Sequence, residues 1–286
     1  MPCVLSPLCA VFFLGRRLCC DAGARRRVGA GRALATLVIA LAGTAAQAAA
    51  PVEVHQRLDL PLIDLAAPAV APTVALTLDA CGGDYDRDLI RFLVARRIPA
   101  TLFVTRRWIE RNPVGLAEVV AVPELFQLED HGANHVPAVL GVGRRVYGLR
   151  GVGDLHGLTA EVEGGAAAIQ GATGHAPHWY RGATAIYDAQ AVTAIEGLGL
   201  QVAGFSLNAD DGATLSRSAV AARVRAARNG DVIIAHMNKP RSQTAEGLGD
   251  ALADLQARGY RFVRLDQVAL RAALPAAVAR VALRAH

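Results

Sequence analysis

Between residues 74 and 265, apolar runs of strand length alternate with stretches of helical period. The runs lie at 74–79, 98–104, 124–129, 177–181, 200–206, 231–236 and 260–265. In the first gap, Asp86 to Arg96 sets Leu89, Ile90, Leu93 and Val94 on one face of a helix. Ser216 is placed to cap a helix running to Arg228, with Gly230 just past its end. Thr244 is placed to cap another that ends near Gly259. Seven strands separated by helices predict a parallel α/β sheet, open or closed into a barrel. The Gly-rich, aperiodic stretch 141–158 reads as a loop inserted near a site. The folded domain is expected over 73–270, with a Pro- and Ala-rich linker or N-terminal arm at 51–72 and a C-terminal tail at 271–286.

Composition changes this picture mainly at the N-terminus. Of the 286 residues, 53% are hydrophobic, enough for a large core, and the formal charge is +5. Six arginines and one acid fall in residues 1–50. Removing them from 30 basic and 25 acidic side chains leaves 24 of each. The folded part therefore offers no electrostatic reason to bind nucleic acid. Arg25 to Arg32 form a basic region, Ala33 to Gly43 an apolar one too short to span a bilayer comfortably, and Ala46-Gln47-Ala48 a cleavage site. Residues 1–50 thus read as a leader with a signal peptide. Its true start is open, since Val28 fits as an alternative initiator. The expected location is exported: periplasmic, cell-envelope or secreted, with no stable membrane insertion after cleavage. Cys3, Cys9, Cys19 and Cys20 lie in the leader, so the mature chain keeps Cys81 alone and forms no internal disulfide. Cys81 reads as a small residue packing a strand end, with a nucleophile as the alternative.

The strand ends carry the chemistry. The first run ends in Asp79, followed by Ala80, Cys81 and the pair Gly82-Gly83. The third leads into His131-Gly132-Ala133-Asn134-His135, the fourth ends at Arg181, the fifth leads into Asn208-Ala209-Asp210-Asp211, and the sixth ends in His236. In a parallel barrel these ends share one face. His131 and His135, four residues apart, would point the same way from one helical turn, a metal-ligand spacing. Asp130 before them is either a partner that orients a ligand or a plain loop acid. Arg181, flanked by Trp179-Tyr180 and Gly182, reads as a partly buried guanidinium that needs a carboxylate, and Asp79 is the natural candidate. His156, His175 and His178 lie in or beside loops and look incidental.

These five segments, in this order, resemble the polysaccharide deacetylases of the NodB-homology type, carbohydrate esterase family four. The resemblance covers roughly residues 73–268. The family's T-F-D-D-G corresponds to Thr77-Leu78-Asp79-Ala80-Cys81, its H-S/T-x-x-H to His131 through His135, and its R-x-P-Y segment to Arg181-Gly182-Ala183-Thr184. Its D-x-x-D-W corresponds to Asn208 through Gly212, and its L-x-H strand end to Ile234-Ala235-His236. The resemblance implies a distorted (β/α)7 barrel and a metal-dependent N-deacetylase of an N-acetylated glycan. In it Asp79 would be the general base and His236 the general acid. Arg181 would orient the base and Asp211 would tune the site. His131 and His135 would hold Zn²⁺ or Co²⁺. The second Asp of the first motif is here Ala80, which binds no cation, so Asp84 beyond the glycine turn is the expected substitute ligand. Helix capping is the competing reading for Asp84 and Asp86. Two other functions stay open at this point: a metal-free amidohydrolase on the same scaffold, and a non-catalytic glycan-binding protein. The particular glycan and the oligomeric state are not legible.

Overall fold

A computed structural model of the chain describes residues 50–60 and 71–272. The expected leader and signal peptide lie outside the described residues, as does most of the expected C-terminal tail.

In chain order the elements are β1 (Val52–Glu53), β2 (Gln56–Leu58), β3 (Thr73–Ala80), α1 (Arg87–Arg96), β4 (Ala100–Val104), α2 (Arg106–Arg111), α3 (Pro113–Val120) and β5 (Phe126–Asp130). There follow β6 (Arg145–Val146), β7 (Leu149–Arg150), α4 (Leu155–Thr173), β8 (Trp179–Tyr180), β9 (Ile186–Tyr187), α5 (Ala189–Gly197) and β10 (Gln201–Val202). The chain continues through β11 (Leu207–Asn208), α6 (Arg217–Arg225), β12 (Val232–His236), α7 (Thr244–Ala257), β13 (Arg261–Val263) and β14 (Leu270–Ala272). The main sheet is parallel, in the order β10-β8-β5-β4-β3-β12-β11, with β13 beside the start of β3. Helices pack around it, giving the expected (β/α)7 barrel class of fold.

The alternation of β3 decides which residues face the site. Val74, Leu76, Leu78 and Ala80 are fully buried in one apolar cluster with side chains of α1, α6 and α7. Ala75 belongs to a second cluster with Phe103, Tyr180 and Ile234. Thr77 and Asp79 share the face of Ala75 because side chains alternate along a strand.

The sheet is not closed by its own strands: its edges are β10 and β11, and the N-terminal arm pairs with Phe205 between them and with Gly230 just before β12. Gln56 N–H donates to the Phe205 carbonyl (2.9 Å), and Phe205 N–H donates back to Val54 (3.3 Å). Leu58 N–H donates to Gly230 (2.9 Å). Arg57 pairs with the buried Asp231. Within the 51–72 segment, read as a linker or N-terminal arm, β1 and β2 pair with the barrel. The first residues of the expected tail belong to β14, which pairs with β2. Within 141–158, β6 and β7 form a hairpin and α4 begins at Leu155, so this stretch is not a plain loop. Ser216 caps α6 as expected, accepting from Ala219 N–H. Thr244 does not cap α7. It is the first helical residue, and its hydroxyl donates to Asp210 instead (3.1 Å).

Candidate active site

The polar strand ends converge at the C-terminal edge of the sheet, where catalytic groups of such barrels gather. They line a cavity of about 390 Å³ that includes Asp79, Cys81, His131, His135 and His236. Asp79 and His236 are register partners on the adjacent parallel strands β3 and β12.

Asp79 is held by Arg181. The guanidinium is fully buried and donates through Nη1 to Asp79 Oδ1 (2.9 Å) and to Thr77 Oγ1 (2.8 Å). Nε and Nη2 donate to the carbonyls of Ala203 and Gly204, and the guanidinium lies 4.2 Å from the centre of the Phe103 ring. Burial works to raise the Asp79 carboxyl, but the charges of Arg181, His131 and His236 outweigh it and hold the group below its ordinary range. The sequence-based pairing of these two residues is the one found.

His236 is held by Asp210. Its Nδ1 lies 2.9 Å from Asp210 Oδ1, and its backbone N–H donates to Oδ2 (2.9 Å). Asp210 is fully buried. Burial opposes a charge on His236, yet the bond to Asp210 and the nearby Cys81 carry its pKa well above the ordinary histidine value. Asp210 is correspondingly held low: burial raises it, and the His236 bond lowers it further. Asp211, the expected tuning acid, does not touch His236. Its backbone turns through φ 53° with its N–H on Asn208 Oδ1, leaving the residue exposed at the cavity rim. The neighbouring Asp210 faces inward and forms the pair.

His131 and His135 do come together, with ring centres 5.0 Å apart, but not on a helical turn. Gly132 takes φ 85° and His135 φ 63°. Asp130 Oδ1 accepts from Gly132 N–H (2.7 Å). Glu161, buried on α4, accepts from the backbone N–H groups of Asn134 (2.9 Å) and Val136 (3.0 Å). A Cβ on Gly132 would stand 2.5 Å from Glu161 Oε1, so the loop closes on that carboxylate only with glycine there. Asp130 supports the loop and touches neither imidazole directly. The imidazole of His131 is oriented by another group: Nδ1–H donates to the Arg181 carbonyl (2.5 Å), which places the lone pair of the neutral ring on Nε2.

Asp84 does not reach the histidines. It is half exposed and accepts from Arg111 Nε (3.0 Å) and Nη2 (2.7 Å) on the outer surface. The Gly82-Gly83 turn does not fold it back. A Cβ on Gly83 would lie 2.1 Å from the Asn238 carbonyl oxygen, so the turn serves close passage along that segment. Asp86 caps α1, accepting from Leu89 N–H (3.1 Å).

A different residue joins the histidines. Cys81 Sγ lies 3.5 Å from His131 Nε2, and donor atoms of Cys81, His131 and His135 all lie within 4.8 Å of one another. Among the described residues this is the one such three-donor group. The donor types and the fixed His131 tautomer fit a divalent cation. Thr184 Oγ1 and Asn238 Oδ1, from two further cavity residues, are buried without hydrogen-bond partners. Thr184 and Ala185 also take left-handed backbone (φ 71° and 52°), strain of the kind found at functional sites.

Fold and site together define a parallel α/β barrel with an Asp–Arg pair, an Asp–His pair and three metal-donor side chains at one rim. Residues 66–203, just under half of the chain, match the family model for polysaccharide deacetylase, so this stretch is a polysaccharide deacetylase domain. No curated protein sequence matches it. Among solved structures it is similar to a CE4 family pseudoenzyme from Bacillus anthracis (18% identity, TM-score 0.58), the match covering 69% of this chain and 65% of that one. It is also similar to a peptidoglycan deacetylase from Bacillus subtilis (20%, TM-score 0.56), covering 69% and 89% of the two chains. A family 4 acetyl xylan esterase from Clostridium thermocellum, in complex with cobalt, is similar at 20% identity and TM-score 0.56, covering 68% and 89%. At these identities the likeness speaks for the fold. This chain spans just under two thirds of the pseudoenzyme's length.

Proposed function

We propose that the protein is an exported, metal-dependent deacetylase that hydrolyses the N-acetyl amide of a cell-envelope or extracellular polysaccharide. The observation that carries this reading is the opposed poise of two neighbours: Asp79 is held ionised by Arg181, and His236 is held protonated by Asp210. Environments that push two titratable groups apart assign the base and the acid. His131 and His135 would hold a divalent cation, which would supply Lewis-acid activation of water and of the amide carbonyl. Asp79 takes the proton of the attacking water, its carboxylate fixed by Arg181 Nη1. His236, anchored through Nδ1, gives a proton from Nε2 to the leaving nitrogen as the C–N bond breaks. The products are acetate and a free amine on the sugar. The unpartnered Thr184 and Asn238 oxygens suit a polar substrate. Export rests on the basic, apolar and A-x-A segments of the leader. No helix among the described residues is long and apolar enough to cross a membrane.

Acetate release from N-acetylglucosamine oligomers with added Zn²⁺ tests the reading. We expect release that disappears in His131→Ala. No release from any glycan, with wild type and His131→Ala alike, contradicts it.

A further inference from the structure

We propose that the Cys81 thiolate is the third protein ligand of the metal site, standing in for the carboxylate that Ala80 lacks. The inference rests on the metal-dependent reading above and deepens it. Strand alternation is its first support. Asp79 lines the cavity and Thr77 lies beneath it on the same face, so Ala80 faces away. Its methyl is fully buried in the apolar layer that contains Val104 and Trp108. The next residue returns to the cavity side, and Cys81 does line the cavity.

Donor geometry is the second support. The Cys81, His131 and His135 donor atoms sit within 4.8 Å of one another, a spread that one cation can draw together. The third is the His131 ring. Its Nδ1–H is committed to the Arg181 carbonyl, so Nε2, 3.5 Å from Sγ, is the nitrogen whose lone pair the neutral ring offers to a cation. Cys81 is also the one cysteine among the described residues, and within them no disulfide takes its sulfur.

The replacement has chemical consequences. A thiolate keeps the single negative charge of a carboxylate, and binding releases the thiol proton to solvent. Three protein ligands still leave a position open to water or substrate. Sulfur is the softer donor, so the site favours Zn²⁺ or Co²⁺ over Mg²⁺, Mn²⁺ or Ca²⁺.

The test loads the full chain with Co²⁺ and records its absorption, with Zn²⁺ affinity measured by competition against a chelator. We expect a near-ultraviolet thiolate-to-cobalt charge-transfer band in wild type that is missing in both Cys81→Ser and Cys81→Asp. Zn²⁺ affinity should fall at least about a hundredfold in Cys81→Ser, beyond what loss of an outer partner costs. It should recover largely in Cys81→Asp, which also guards against a serine variant that fails to fold. Because four other cysteines lie in the leader, the comparison with the variants decides the origin of the band. A band unchanged in both variants, or Zn²⁺ bound as tightly by Cys81→Ser as by wild type, overturns the proposal. Acetate release that survives such a result leaves the deacetylase reading standing. A Cys81-dependent band without deacetylation of any glycan keeps the ligand and removes that reading.

Discussion

Asp79 and His236 occupy matched positions on the adjacent parallel strands β3 and β12, and each is anchored on the side away from the cavity by a buried partner of opposite charge. Parallel pairing puts both side chains on one face of the sheet. Arg181 and Asp210 then set them in opposite protonation states, which hydrolysis of an amide needs from two residues on either side of one carbon.

Arg181→Met should move the acidic limb of the kcat/KM profile to higher pH. Arg181 is the first of the charges that hold Asp79 down; without it, burial dominates and the carboxyl rises. The base then protonates at a higher pH as acid is added. Leaving Asp79 buried and unpaired should also cost about 3–5 kcal/mol of stability. Arg181→Lys retains a charge without the fork and serves if the methionine variant is poorly folded. A limb that stays in place in both variants contradicts the pairing.

Asp210→Asn should move the alkaline limb the other way. With His236 as the proposed acid, activity should be lost as pH rises through its pKa. Asp210 holds that pKa well above the ordinary histidine value. With a neutral amide at 210 the pKa falls, and activity disappears at lower pH. Asp211→Asn, one residue along, should leave the limb in place. Equal shifts in the two variants would show that Asp210 is not the partner.

Glu161→Ala should loosen the loop that carries His135 without touching a metal donor. It strips acceptors from the N–H groups of Asn134 and Val136. We expect about 1–3 kcal/mol of lost stability in chemical denaturation, and a loss of Zn²⁺ affinity of roughly 10–100-fold. Wild-type affinity in this variant would mean that the loop holds itself.

How much of this was legible in the sequence follows from what each signal depends on. The long buried strands 74–79 and 231–236 were readable as apolar runs, and their ends gave Asp79 and His236. The short strands β8, β10 and β11 have two residues each, so pairing with neighbours defines them and periodicity does not. The histidine spacing suggested a helical turn because i and i+4 meet there. The same meeting is reached in a loop through a positive-φ glycine and a distant glutamate, which no local pattern reveals. Asp210 and Asp211 differ only in which way the backbone turns. Cys81 had a usable signal that motif matching obscured: on a strand, 79 and 81 share a face and 80 does not. Asp84 was favoured by proximity in sequence, but Arg111, distant in sequence and near in space, holds it.

Gly204→Ala tests the bridging arm. A Cβ at 204 would lie 2.2 Å from the Val54 carbonyl oxygen, a backbone atom that can move only with the arm. The expected cost is about 1–3 kcal/mol, seen as a lower Tm. An unchanged Tm would mean that the arm contributes little to stability.

The most direct test of the central claim is acetate release from N-acetylglucosamine oligomers by Zn²⁺-loaded wild type and Asp79→Asn, with bound zinc measured in both. The account predicts release by wild type, abolished by a chelator and restored by Zn²⁺. In Asp79→Asn it predicts a fall of roughly 10²–10⁴-fold at unchanged zinc content. Asp79→Asn turning over as fast as wild type, or wild type releasing no acetate from any N-acetylated glycan, would contradict it.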